Sequence, residues 1–296
     1  MFPVLAAQSP PIQDRIQREI GAFRGVMGMA ATNLATGETI AVNADTRFPT
    51  ASTIKTAVMV EVYHQIQEGK LTRQQVVPLT DAVKQGGSGV LQPLDAGLNL
   101  TVKDLLTLMV IVSDNTATNM LIDLVGTASV DRRIESYGIS NVKLFRPTFR
   151  DGHPDVYPEL EKEFGLGMAT PRDMTRLMAL IAEGKILGRA ECDEMIAILN
   201  AQQDNAMIPR MLPLDADRII VGHKTGTDEE KAAGADGVHR HIRSDAAIVV
   251  TPRMRYVISI FTRQVEDTSW GVDNAALVTG ARVSRLVYDH FKESVD

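Results

Sequence analysis

Phe48-Pro49-Thr50-Ala51-Ser52-Thr53-Ile54-Lys55 runs directly into the apolar stretch Thr56-Ala57-Val58-Met59-Val60-Glu61-Val62-Tyr63. The passage from turn-forming to apolar residues marks a helix that starts at Ser52. In its first turn Ser52 and Lys55 stand three residues apart on one face, so the amine can reach the hydroxyl. A serine hydroxyl is a weak nucleophile until a neighbour takes its proton, and a lysine does so once burial or nearby charge lowers its pKa. Backbone N–H groups at a helix start also stabilise the oxyanion formed when serine attacks a carbonyl. The spacing alone is weak, and a second copy occurs at Ser140 to Lys143. That copy follows Tyr137-Gly138 and runs into Val142-Lys143-Leu144-Phe145, which reads as extended, so its two side chains face opposite sides.

Outward from this helix the pattern divides in three. On the N-terminal side, Ile12, Ile16, Ile20 and Phe23 recur at helical spacing, and Val26 to Asn33 and Glu38 to Val42 flank Ala35-Thr36-Gly37 as a β-hairpin. From Ser52 to about Gly184 the chain is mostly helical, with segments at Ser52 to Glu68, Thr101 to Val112, Ala117 to Leu124, Val130 to Ser136 and Pro171 to Ala182. Strands return at Arg218 to Val221, Ala246 to Val250 and Tyr256 to Phe261, before a closing helix from Val272 to Phe291. Two strands at one end and three at the other form one sheet only if the chain ends meet. The expectation is an α/β sandwich: a five-stranded antiparallel sheet flanked by terminal helices. Residues 11–47 with 216–296 form the sheet lobe, residues 48–215 an inserted all-helical lobe, and Ser52 lies at their seam in one structural unit.

Composition narrows the function classes. A hydrophobic share of 44% in 296 residues supports an ordinary globular core, and a net charge of −6 without a Lys/Arg cluster argues against nucleic acid as a partner. No run approaches the ~18 apolar residues of a membrane span. Cys192 is the only cysteine, which excludes an internal disulfide and any Cys-rich metal site. Met1-Phe2-Pro3-Val4-Leu5-Ala6-Ala7 lacks the charged start and long apolar core of a signal peptide and fits only the tail of a trimmed one.

Two further tripeptides complete a pattern: Ser113-Asp114-Asn115 after the helix ending at Val112, and Lys224-Thr225-Gly226 at the end of a β-rich segment. S-x-x-K, S-D-N and K-T-G together are the signature of class A β-lactamases and penicillin-binding proteins. Their ordered coincidence by chance is on the order of one in ten thousand. With Gly87-Ser88-Gly89-Val90-Leu91 and Gly222 to Thr227, the resemblance to penicillin-recognising serine hydrolases, and to the class A β-lactamases among them, spans nearly the whole chain. It implies an acyl-enzyme in which Ser52 attacks an amide carbonyl, Lys55 manages its proton and Ser113 relays one to the leaving nitrogen. Asn115 would hold the substrate's amide side chain and Lys224 and Thr225 its carboxylate. Gly226 completes that tripeptide, and Thr227 would share the oxyanion hole with Ser52. The resemblance further implies a small-molecule substrate, a β-lactam or a D-Ala-D-Ala peptide, with no cofactor, a monomer, and a periplasmic or secreted location.

The sequence departs from the family in two places. Class A enzymes activate the deacylating water with a glutamate in a context resembling E-P-E-L-N. Aligning Pro158-Glu159-Leu160 puts Tyr157 at that position, with Glu159 and Glu161 as substitute bases or merely solvated acids. The strand arginine that supports carboxylate binding falls near Ser244, leaving Arg243 or Arg240 to replace it. His239 and His241 beside Asp245 lack the third ligand of a zinc site, so no metal is expected. Without a G-x-S-x-G elbow a Ser-His-Asp triad is excluded. Three readings remain: a class A-like β-lactamase, a D-alanyl-D-alanine carboxypeptidase or esterase with the same acylation machinery, and a penicillin-binding sensor that acylates without turnover.

Overall fold

The computed structural model describes residues 11–294; the opening Met1–Ala7 stretch lies outside them. Helix α1 (Ile12–Gly21) leads into the hairpin β1 (Val26–Asn33) and β2 (Thr39–Val42). After the short β3 (Phe48–Pro49), the chain forms α2 (Lys55–Gln67), β4 (Val76–Pro78), β5 (Asn99–Thr101), α3 (Val102–Ile111), α4 (Asn115–Val125) and α5 (Thr127–Ser136). Then come β6 (Val142–Leu144), α6 (Pro158–Phe164), β7 (Gly167–Ala169), α7 (Pro171–Ala182) and α8 (Arg189–Asn200). Three long strands, β8 (Ile220–Ala233), β9 (His239–Val250) and β10 (Arg255–Arg263), precede α9 (Ala275–Glu293).

The predicted sheet forms, with order β2-β1-β10-β9-β8 and every pair antiparallel. Strand β1 pairs with β10 from Val26 opposite Arg263 to Asn33 opposite Tyr256, so the N-terminal and C-terminal strands do meet. Side chains alternate across the sheet with the two-residue period of a strand. Ala247, Val249, Tyr256, Ile258 and Ile260 join Ile16, Ile20, Val283, Val287 and Phe291 of α1 and α9 on one face. Ala246, Ile248, Val257 and Phe261 face the other way, onto Met174, Leu177, Met178 and Ile181 of α7. Both faces are therefore covered, and Thr175 Oγ1 of α7 donates to Ala30 O in β1 at 3.0 Å. The helical stretch is thus not fully segregated from the sheet.

Helix α2 is the axis of the other lobe. Lys55 to Gln65 are all buried, as expected of a helix that is apolar on every side, and packing outweighs the poor helix propensity of Val58, Val60 and Val62.

Three local expectations are corrected. The residues around Ser52 form a 3₁₀ turn, Ala51–Ile54, and the α-helix proper begins at Lys55. Strand β8 continues well beyond Val221, so Lys224-Thr225-Gly226 lies within it rather than at its end. Its acidic run Asp228-Glu229-Glu230 masked the strand pattern, and such charge suits a sheet edge, where it deters pairing with another chain. Helices α6 and α8 were not anticipated. Lys143 sits in β6 with its amine against Glu135, away from Ser140.

Candidate active site

Ser52 is presented by a strained, tightly held turn. Ala51 before it has φ 44°, in the left-handed region, and Thr53 Oγ1 and Ser244 Oγ both donate to Thr50 O, at 2.7 and 2.9 Å. Strand β8 presses on this turn from the sheet side. A Cβ on Gly226 would stand 2.6 Å from Thr50 O and 3.1 Å from Ser52 N, so only glycine lets the strand come this close.

One turn on, Lys55 is fully buried. Its Nζ lies 2.7 Å from Ser113 O, 3.1 Å from Ser113 Oγ and 2.8 Å from Asn115 Oδ1; Ser52 Oγ is not among these hydrogen-bond partners. Two of the three are obligate acceptors. A neutral amine satisfies both with its two N–H groups and keeps its lone pair for a hydroxyl. Burial, and then the charge of Lys224, hold this amine well below the ordinary lysine value. Lys224 is equally buried and donates to Ser113 Oγ at 3.1 Å and Thr225 O at 2.8 Å. Burial brings it down to about 7, against the pull of Asp245 and Asp204. The hydroxyl of Ser113, whose φ of 56° is also left-handed, therefore bridges two amines.

Asp114 does structural work. One oxygen accepts from Ala117 N at the start of α4, and the other from Val90 N and Leu91 N at 2.7 and 2.8 Å. This pins the Gly87–Leu91 loop over the site. Gly89, at φ 117°, cannot be replaced without its Cβ meeting Asp114 Cα at 2.5 Å.

Ser52 opens onto two cavities. One, of about 410 Å³, is lined by Ser52, Ser88, Asn115, Thr148, Phe149 and Trp270 among others. The second, of about 280 Å³, brings Ser52, Ser113, Thr225 and Thr227 together with Gln203 and Asp204. The structure thus gathers Ser52, Lys55, Ser113, Asn115, Lys224, Thr225, Gly226 and Thr227 at one place.

It does not bring in the other five candidates. Tyr157, at φ 51°, opens α6; its ring packs edge-on against Phe145 and under the Lys143 amine, and it lines neither cavity. The residue that the Pro158-Glu159-Leu160 alignment puts at the glutamate position thus lies away from the cavity, whereas Thr148 and Phe149, earlier in the same loop, face it. Glu159 is exposed and pairs with Lys162. Glu161 is buried, accepting from Arg146 Nε at 2.8 Å and Lys231 Nζ at 3.0 Å. Burial opposes its charge, but these two cations hold it at about 2, too weak a base to activate water. Arg243 is buried, and its guanidinium donates to Asp228 O, Ile242 O, His241 Nδ1 and Ser269 O instead of opening to a substrate. Arg240 pairs with Asp236.

The description "Beta-lactamase enzyme family" fits residues 11–291 of this chain. The chain belongs to that family. Among curated relatives of this β-lactamase, AST-1 of Nocardia asteroides is 31% identical, covering 87% of this chain and 77% of its own. A solved β-lactamase from Sphaerobacter thermophilus DSM 20745 is 31% identical with a TM-score of 0.78, covering 94% of this chain and 96% of that one. PBP-A, solved also in mutant form as an acyl-enzyme with penicillin G, is 27% identical with the same TM-score, covering 95% and 96%. The β-lactamase fold and its serine chemistry account for the three motifs. The cavity residues outside them, Thr148, Phe149, Asp228 and Trp270, belong to no local pattern; the one signal was that Trp270 is the sole tryptophan.

Proposed function

We propose that Ser52 is the residue acylated by a β-lactam, with Lys55 as its base. The Ser52 hydroxyl proton passes to the Lys55 amine as Oγ bonds to the lactam carbonyl carbon, and the N–H groups of Ser52 and Thr227 take the oxyanion charge. When the ring C–N bond breaks, Ser113 delivers a proton to the leaving nitrogen. Lys224 and Thr225 bind the carboxylate of the substrate, and Asn115 binds its side-chain amide. The observation that carries this reading is Ser113 Oγ, 3.1 Å from both buried amines at the mouth of the Ser52 cavity.

Hydrolysis of the acyl-enzyme is the slower half of the cycle, since neither Glu159 nor Glu161 reaches the cavity. Among the carboxylates that line it, Asp151 pairs with Arg146 and Lys231, and Glu229 faces His241 at 3.4 Å. Asp228 is the acid there whose hydrogen bond comes only from backbone, Glu229 N at 2.9 Å, and burial raises its pKa. It is the group best suited to take the proton of the attacking water.

The test is a chromogenic cephalosporin followed by colour and intact mass together. A burst of one equivalent, a covalent adduct and a slow steady state are expected. Absence of any adduct overturns the reading. That the loop's carboxylate at the cavity, Asp151, is taken up by Arg146 and Lys231 also favours a second reading, D-alanyl-D-alanine peptide cleavage, which release of D-alanine from a model peptide would reveal. The family resemblance supports a monomer in the periplasm or outside the cell, testable by fractionation and light scattering.

A further inference from the structure

Two of the chain's most exposed large apolar side chains, Trp270 at 62% and Phe149 at 55%, line the same cavity as Ser52 and Asn115. Single exposed hydrophobic residues are normal at a protein surface. Two aromatic rings bordering one reactive cavity, each on a loop that is tied down, call for a ligand.

The Trp270 loop, between β10 and α9, is fixed by its own hydrogen bonds. Asn274, fully buried, donates through Nδ2 to Asp267 O at 2.8 Å and Ser269 O at 2.9 Å, while the Asp267 carboxylate accepts from Ser269 N and Ala275 N. The indole is backed from the protein side. Its ring centre lies 4.4 Å from that of His241 and 4.9 Å from the Arg243 guanidinium carbon, and Arg243 donates to His241 Nδ1 at 2.9 Å. Burial and the Arg243 charge hold His241 below its ordinary pKa, in the neutral form that can accept this bond. With His241 and Arg243 behind it, the ring turns its remaining surface outward.

Phe149 is fixed from another direction. Asn119 clamps the preceding Thr148 with three hydrogen bonds, from Thr148 N at 2.8 Å and Thr148 Oγ1 at 2.9 Å to Oδ1, and from Nδ2 to Thr148 O at 3.1 Å. The Phe149 ring rests on Gly87, where a Cβ would come within 2.7 Å of it. Both rings are thus held in place before any substrate arrives, so little side-chain freedom remains to be lost on binding.

We infer that Trp270 and Phe149 form the acyl-side-chain subsite of this enzyme and select substrates whose acyl group ends in an aromatic ring. Rigid tryptophan and phenylalanine faces favour a planar apolar group through area burial and offset or edge-to-face ring contact. Arg243, expected from sequence to bind carboxylate, acts here as a positioning residue that braces Trp270. The inference rests on Ser52 acylation as proposed above.

The test compares penicillin G, which carries a phenylacetyl group, with 6-aminopenicillanic acid, which has no acyl side chain. The second-order acylation rate is read by mass for the parent protein and for Trp270→Ala, Phe149→Ala and Trp270→Tyr. Expected are a loss on the order of tenfold with penicillin G in each alanine variant, less than twofold with 6-aminopenicillanic acid, and recovery in Trp270→Tyr. Because Trp270 is the only tryptophan, penicillin G added to non-reactive Ser52→Ala protein is also expected to shift the intrinsic fluorescence, and 6-aminopenicillanic acid to leave it unchanged. Equal losses on both probes, or no loss on either, overturn the subsite. If the parent protein is acylated by neither probe, the proposed function itself fails, a result distinct from acylation that ignores the side chain.

Discussion

On one side of Ser52 stand two buried amines, Lys55 and Lys224, whose hydrogen bonds go only to hydroxyl, carbonyl and amide oxygens. On the other side, in the loop from Phe145 to Phe164, the buried ions Arg146 and Glu161 are joined to each other and to Asp151 and Lys231. The first arrangement leaves charge uncompensated, which makes an amine a base near neutral pH. The second compensates it, which makes a scaffold. Burial alone does not distinguish chemistry from structure; the partners do.

The sharpest break of this contrast is Ser52→Ala, which is expected to abolish covalent labelling by a penicillin; label that persists, or that maps to Ser140, removes the first side altogether. Next, Lys55→Arg keeps a cation that cannot deprotonate and is expected to be nearly inert in acylation, measured by stopped-flow mixing. In the parent protein kcat/KM is expected to rise with pH as Lys55 loses its proton, on a limb well below 10.5. It should fall again above about 7, as Lys224 loses the charge that binds carboxylate. A profile rising without a fall past pH 9 contradicts the role given to Lys224.

Asp228→Asn addresses the hydrolytic half. Loss of general-base help costs about 10² to 10⁴ in rate, so the adduct's lifetime is expected to lengthen by up to that factor while acylation stays unchanged. Glu161→Gln tests the scaffold. It is expected to leave adduct lifetime nearly unaltered and to destabilise the fold by about 3 kcal/mol, read by urea unfolding, because it leaves the two cations Arg146 and Lys231 with Asp151 as their one remaining carboxylate. The folded carboxyl titrates at about 2 and the unfolded one near 4.5, so its stabilisation is complete above pH 4.5 and is lost as pH falls toward 2. The variant should lack that acid-range slope.

Sheet order and the Ser52, Ser113 and Lys224 cluster were legible because each depends on short-range pattern: alternation in β9 and β10, and tripeptides at fixed offsets. The loop was not. Glu161 finds its partners at Arg146 and Lys231, and no periodicity connects residues 15 and 70 positions apart. Arg243 looked like a substrate ligand until its donors were traced to Ser269 O and His241. Trp270 and Phe149 meet at one cavity only because β10 and β6 deliver their loops to it.

The pairing of Val26 with Arg263 also sets a schedule. A ribosome must release the chain through Arg263 before β1 gains its full β10 neighbour, and until then the N-terminal hairpin carries an open edge able to join other chains. A message cut short before Arg255 would leave two hairpins, β1 with β2 and β8 with β9, and no central strand to join them. Conversely, α1 and α9 lie side by side, with Glu19 and Arg282 3.2 Å apart, so a linker joining these two helices and new ends opened in a surface turn would preserve every strand pair.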